Sequence, residues 1–426
     1  MRVKRFMIVI ILGVFFVGLG SAVLVDSTFL ARWKQDILQW VGSISGFGHI
    51  YAGLLLIIVG LAVILLGMRH LVHSIAESVL PRGETSLAQW VYRNRNLAKG
   101  PRIVVVGGGT GLSTMLRGLK EYSDNITAIV TVADDGGSSG RIREELGILP
   151  PGDIRNTLVS LADTEPLMER LFQYRFSWGQ GLEGHSFGNL FIAAMTDITG
   201  DFEEAIREMS KVLAVRGRVL PATLATVKLG ARYEDGDEAW GESHIPQEGR
   251  QITQMFLEPS DVRALPEALQ AIEQADVVVL GPGSLYTSII PNLLVHPIPE
   301  AIGRTNALRV YVCNVMTQPG ETENMTAAQH VRALVAHAGR RRIVDAVLVN
   351  DEQISPEQAA KYANQGANAI EPDVAELRRL GVQVRAAKLL DAQDLVRHDP
   401  RKLAQEIMQM VEAHTDVPWW EKNVGS

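Results

Sequence analysis

The sequence predicts an α/β protein: a Rossmann-like, mostly parallel sheet with helices on both faces and an antiparallel β insertion, preceded by two transmembrane helices. Three observations carry that reading. Short β-branched runs open into glycine-rich or polar turns and alternate with segments of helical apolar spacing. The stretch 222–257 breaks this alternation with strand-like patterning around a turn at Glu234, Asp235, Gly236 and Asp237. Near the amino end, residues 6–25 and 51–68 are uncharged apolar runs, and about 20 such residues cross the roughly 30 Å of a bilayer.

The first run is longer than the apolar core of a signal peptide and a second run follows it, which favours two spans over a cleaved leader. Arg2, Lys4 and Arg5 precede the first span; Arg69, Arg82, Arg93, Arg95, Lys99 and Arg102 follow the second. The segment between has only Arg32 and Lys34, set against Asp26 and Asp36. Basic residues mark the cytoplasmic side, so the expected protein is two-pass in the cell membrane with its soluble domain in the cytoplasm. Residues 1–80 then form a membrane hairpin, 81–100 a basic linker containing Trp90 and Tyr92, 101–415 the α/β domain and 416–426 a tail.

Charge and cysteine usage narrow the function classes. The formal net charge of −7 argues against a nucleic-acid-binding surface, which needs basic excess. Cys313 is the only cysteine, so no internal disulfide and no multi-cysteine metal site is possible. Its apolar surroundings, LRVYVCNVM, read as a buried strand rather than a nucleophile.

The α/β domain is organised around residues 102–143. Strands are expected at 103–106 and 126–132, joined by a helix with Leu112, Met115, Leu116 and Leu119 on one face. Pro150, Pro151 and Gly152 then stop the chain, and Asp153 is placed to cap the next helix. Helices follow at 165–174 and 201–212, with one between them built on Leu190, Phe191, Ala194 and Met195. After the antiparallel insertion on the main sheet come strands at 276–280, 308–312, 343–349 and 382–386, and helices at 327–338, 356–364 and 400–414.

This order puts the loops at the carboxyl ends of strands, where open α/β sheets bind ligands. Gly107, Gly108, Gly109, Thr110 and Gly111 leave room for a phosphate to approach N–H groups at a helix start. Leu112 stands at the third glycine position of the dinucleotide fingerprint, which turns the reading away from a simple NAD site. Asp134 and Asp135 end the next strand and suit Mg²⁺ with phosphate oxygens, or a ribose, Asp134 falling where a ribose-binding acid would sit. Gly136, Gly137, Ser138 and Ser139 can cradle a second anion, with Arg141 and Arg143 as clamps.

Three further groups are expected on the same edge. They are Asp153 with Arg155 and Asn156; His185, Ser186, Gly188 and Asn189; and Gly281, Gly283, Ser284, Tyr286 and Thr287. Asp134, Asp135 and His185 are the candidates for catalysis, and His185 is equally readable as a satisfied structural histidine. No serine–histidine–aspartate set at a strained G-x-S-x-G elbow is read here, and no H-E-x-x-H zinc pair is present.

The motifs VVGGGTGLSTMLRGLK, TVADDGGSSGRIR, GDIRNTL, GHSFGNL, LGPGSLYTSIIPNLL and NVMTQPGET, in that order, resemble the gluconeogenesis-factor (YvcK-like) branch of the CofD-like superfamily. The resemblance runs from about residue 101 to residue 411. It implies a cytosolic Rossmann-like domain that binds UDP-sugars such as UDP-N-acetylglucosamine, with a role in cell shape and envelope precursor supply during gluconeogenic growth. No established reaction comes with that branch, so a non-catalytic regulator is the leading expectation. The other branch, the 2-phospholactate transferases, moves a phospholactyl group from a nucleotide-diphosphate-activated donor with Mg²⁺, and is the alternative. Tyr362 in KYANQGA and Arg397 in VRHDP are the expected late contacts to a sugar nucleotide. Envelope-synthesis proteins and a second copy of the chain are the expected protein partners. The membrane hairpin is a departure from the simplest soluble members.

Overall fold

The computed structural model describes residues 3–24, 49–79, 95–163, 166–391 and 396–414. The expected loop between the spans, most of the linker and the tail lie outside the described residues. The chain forms two compact units, Met1–Asn94 and Arg95–Ser426.

The first unit holds two helices, α1 (Val3–Leu24) and α2 (His49–Val79). Both are long and apolar enough to cross a membrane, over Arg5–Leu24 and Gly53–Leu71. They pack on each other through glycines: a Cβ at Gly60 would stand 2.8 Å from the Gly13 carbonyl, and one at Gly20 would stand 2.7 Å from the Gly53 carbonyl. The large side chains point outward, with Ile11, Phe15, Ile58 and Leu65 all exposed.

The second unit is built on seven parallel strands in the order β10-β9-β8-β7-β1-β2-β3. They are β1 (Ile103–Gly107), β2 (Ile126–Val130), β3 (Arg218–Pro221), β7 (Val277–Leu280), β8 (Leu308–Val312), β9 (Ala346–Asn350) and β10 (Gln383–Ala387). Every residue of β1, β2 and β7 is buried, as continuous Val/Ile/Leu runs require when helices cover both faces of a parallel sheet. The chain runs outward from β1 through β2 to β3, then returns to the other side of β1 at β7 and runs outward again. The β1/β7 junction is therefore the switch point, where a crevice opens beyond the strand ends.

Helix α3 (Gly109–Leu119) buries Leu112, Met115, Leu116 and Leu119 as its spacing implies. It packs against α5 (Gly152–Leu161) and the last helix, Pro400–His414. Between α3 and α5 lies α4 (Gly137–Leu146), a helix where the sequence suggested only an anion cradle. Next come α6 (Pro166–Gln173), α7 (Phe187–Thr199) and α8 (Phe202–Val212). The core face of α7 differs from expectation. It buries Gly188, Asn189, Ile192 and Ala193, while Ala194 is exposed and Leu190, Phe191 and Met195 are only partly covered. The turn before α7 fixes this rotation by drawing Asn189 inward onto Ser138.

The antiparallel insertion is also corrected in one respect. β4 (Lys228–Tyr233), β5 (Glu238–Trp240) and β6 (Ile252–Glu258) form a separate three-stranded sheet in the order β5-β4-β6, without joining the main sheet. Residues 95–100, read as linker, pack on the second unit: Leu97 is buried and Asn125 donates its amide to the carbonyls of Ala98 and Gly100. Cys313 is buried one residue beyond β8.

Candidate functional site

A cleft of about 570 Å³ opens at the β1/β7 switch point. Two glycine loops meet there. A Cβ on Gly111 would lie 2.6 Å from the Pro282 carbonyl, so this close approach of loop to loop tolerates only glycine. Asn314, just past β8, fixes the second loop by gripping Gly283 at both ends: the Gly283 N–H donates to Asn314 Oδ1 at 3.2 Å and Asn314 Nδ2 donates to the Gly283 carbonyl at 2.7 Å.

The floor is acidic. Asp134 accepts the Gly136 N–H at 2.9 Å, and burial raises its carboxyl above the usual range. Asp153 does not cap its own helix, whose N-cap position is Pro151. Its carboxylate instead reaches the start of α3, where a Cβ on Gly108 would meet Asp153 Oδ2 at 2.5 Å. Burial first, then the Asp134 charge, raise Asp153 to about 6, against the opposing Gly109 N–H and the Arg155 guanidinium. Glu242, from the insertion, lines the same cleft; burial and the charges of Asp134 and Asp153 push it to about 8. Three carboxylates thus share a poorly solvated corner where like charges resist simultaneous ionisation.

The structure divides the sequence-named residues. Gly108, Gly109, Thr110, Gly111, Asp134, Asp153, Gly283, Ser284, Thr287, Tyr362 and Arg397 all line the cleft. Asp135 does not. Its carboxylate accepts the Ser243 N–H at 2.9 Å and ties the insertion to the main domain. Gly107 and Gly281 are spent in the backbone, the Gly281 N–H bonding to the Val106 carbonyl and the Gly107 carbonyl accepting from Thr131. Tyr286 turns its N–H to Glu321 and its ring into the core.

The His185 group sits behind the cleft as a buried support. His185 Nδ1 lies 3.1 Å from Ser138 Oγ, and Asn189 Nδ2 donates to Ser138 and Ser139 at 3.2 and 3.5 Å. Ser186 caps α7 and receives the Arg155 guanidinium, whose other arm reaches Asn156 Oδ1 at 2.7 Å. Gly188 leaves the space through which Arg155 passes. Burial and the Arg141 charge lower the His185 pKa, keeping the ring neutral. Gly136 and Gly137 start α4, which carries Ser138 and Ser139 into this network.

The sequence reading did not single out Glu242, Asn314, Gln318 and His398, which line the cleft, or Glu321, buried beside it. Gln318 and Glu321 belong to the NVMTQPGET motif and follow a strand end, a signal that marks them in retrospect. Glu242 carries no local signal, since only the docking of the insertion brings it to the cleft.

Known proteins share this architecture. A family model described as "2-phospho-L-lactate transferase CofD" matches residues 103–390. The gluconeogenesis factor of Bacillus subtilis is 53% identical over 312 residues, 73% of this chain and 98% of that protein. A relative in Nostoc sp. is 49% identical over 412 residues, 96% of this chain and 90% of that protein. A crystal structure of a UPF0052-family protein from Bacillus halodurans, 53% identical, superposes with a TM-score of 0.70 over 72% of this chain and 98% of that one. By the family model and by these identities, the chain belongs to the CofD family, in its gluconeogenesis-factor branch.

Proposed function

We propose that this protein is a nucleotide-sugar-binding regulator, taking a ligand of the UDP-N-acetylglucosamine type and acting in cell-shape and envelope-precursor control under gluconeogenic growth. One observation carries the reading: two interlocked glycine loops and a helix start bound a cleft at the switch point, with Tyr362 and Arg397 in its lining. Its volume falls in the range of small-molecule sites, about 300–1,000 Å³. The α3 start offers N–H groups to a diphosphate, and Tyr362 and Arg397 offer a ring and a guanidinium to the rest of the ligand. Helices α1 and α2 hold the protein at the membrane, because a pair that buries glycines and exposes large apolar side chains matches lipid rather than water.

UDP-N-acetylglucosamine at millimolar concentration is expected to raise the melting temperature of the full chain in detergent, and Asp134→Ala and Tyr362→Ala to shrink that rise. A well-folded protein whose melting temperature stays put would sink the reading.

A second reading, a phosphoryl-type transferase, is favoured by the acidic floor. Burial raises both Asp134 and Asp153 against the Arg155 charge, and two carboxylates with ligand phosphates are the donor set Mg²⁺ prefers. Among the described residues no group of three or more acidic, His or Cys side chains forms a metal cage on its own, so phosphate oxygens would complete the shell. Bound there, Mg²⁺ would neutralise charge on the phosphates. Release of UMP or GMP from a nucleotide-diphosphate-activated donor, lost in Asp134→Ala, would select this reading; inertness with every donor and acceptor supplied would remove it.

A further inference from the structure

The wall formed by Ser284 and Thr287 is built around Glu321, a carboxylate 5% exposed beneath the cleft. Glu321 Oε1 receives the Thr287 hydroxyl at 3.0 Å and the Gln318 side-chain amide at 2.6 Å, while Oε2 receives the Tyr286 N–H at 3.2 Å. An ionised carboxylate has no hydrogen to give, so each of these partners donates to it. The consequence passes outward. Thr287 has one hydroxyl hydrogen and spends it on Glu321. Gln318 spends an amide hydrogen on Glu321, which leaves its carbonyl oxygen facing Ser284 Oγ at 2.7 Å. Ser284 must then donate there as well. Both hydroxyls on this wall therefore have only lone pairs left to offer the cleft.

A phosphate carries acceptors and few hydrogens, and so finds no hydrogen at either of these two hydroxyls. A polyol carries hydroxyl hydrogens and can give them to the lone pairs there. We propose that the Ser284–Thr287 wall is an acceptor surface that receives the hydroxyl groups of the ligand's sugar, with its polarity set by Glu321 through Gln318. The diphosphate is left to the adjoining 108–111 loop at the start of α3. This inference rests on the nucleotide-sugar reading.

The test uses calorimetric titration of the full chain in detergent at pH 8, above the value of about 7 to which burial raises Glu321. The probes are UDP-N-acetylglucosamine, the series of analogues in which one sugar hydroxyl is replaced by fluorine, and inorganic pyrophosphate. Fluorine cannot donate, so at least one analogue is expected to bind about threefold to tenfold more weakly than the natural ligand. Ser284→Ala and Thr287→Val should weaken the natural ligand by a similar factor, remove its advantage over that analogue, and leave pyrophosphate unchanged. Should Thr287→Val misfold, Ser284→Ala decides alone, because Ser284 lies one bond further from the carboxylate. Pyrophosphate weakened as much as the nucleotide sugar, or every fluorinated analogue binding like the natural ligand, would overturn the acceptor wall while leaving nucleotide-sugar binding intact. A wild-type protein that binds no nucleotide sugar overturns the function reading and this inference together.

Discussion

Replacing Asp153 by Asn tests whether the acidic floor is under electrostatic stress. In the folded chain Asp153 titrates at about 6, raised from an ordinary 3.8 by burial and by the neighbouring Asp134. A carboxyl held up in the folded state binds its proton more tightly there than in the unfolded chain. Its stabilising contribution is therefore complete below pH 4 and is lost as pH rises through 6. The full difference corresponds to about 3 kcal/mol, and partial opening of the site to water brings it nearer to about 1.5 kcal/mol. Asn keeps an oxygen to accept the Gly109 N–H and carries no charge at any pH. The stability of D153N relative to wild type should thus improve between pH 4.5 and pH 7.5 by about 1 kcal/mol, roughly 2 °C of melting temperature for a domain of this size. Paired thermal melts of wild type and D153N at the two pH values read this directly. A relative stability that stays level, or that worsens at the higher pH, would refute the argument that Asp153 is raised by burial beside Asp134.

Three other perturbations follow from the geometry. Gly111→Val places a side chain where a Cβ already meets the Pro282 carbonyl at 2.6 Å; it should part the two glycine loops and abolish nucleotide-sugar binding, checked by titration of a variant that still melts cooperatively. Arg309 makes a two-pronged ion pair with Asp345 at 2.7 Å, both side chains mostly buried. Arg309→Ala removes the two-pronged partner and leaves that carboxylate only the more exposed Arg342, at 3.1 Å, so about 2 kcal/mol of lost stability is expected in denaturant titration. In the first unit, Gly60→Leu drives a side chain into Val17 and the Gly13 carbonyl; cysteines placed at facing positions of α1 and α2 should crosslink readily in wild type and poorly in the variant.

The strand–loop–helix core of the site is legible in the chain because its determinants are local. Continuous apolar runs make buried parallel strands, and the 3.6-residue spacing of Leu112, Met115, Leu116 and Leu119 turns one face of α3 inward. The edge strand β3 was missed because Gly217 and Pro221 punctuate it like a turn; a strand hydrogen-bonded on one side only tolerates that proline. Asp134 and Asp135 look alike in sequence, yet they part company because the insertion delivers the Ser243 N–H to Asp135 and nothing comparable to Asp134. Asp153, placed like a cap, stands inside its own helix after the N-cap position Pro151, and its carboxylate takes the Gly109 N–H at the start of α3 instead. The ring of His185 was readable as base or buttress, and Ser138 and Asn189 make it a buttress.

By itself the sequence determined the family, the parallel sheet and the glycine loops at its carboxyl edge, since all of these follow from residue type and spacing along a few turns of chain. Only the tertiary structure decided which side chains face the cleft and which way their hydrogens point. Glu242 arrives from an insertion more than 100 residues after Asp134, and Glu321 sets the polarity of Ser284 and Thr287 from the far side of the loop they stand on. Hydrogen-bond direction is a property of the closed network, fixed when the carboxylate at its end has no hydrogen to give, and no local pattern in the chain encodes it.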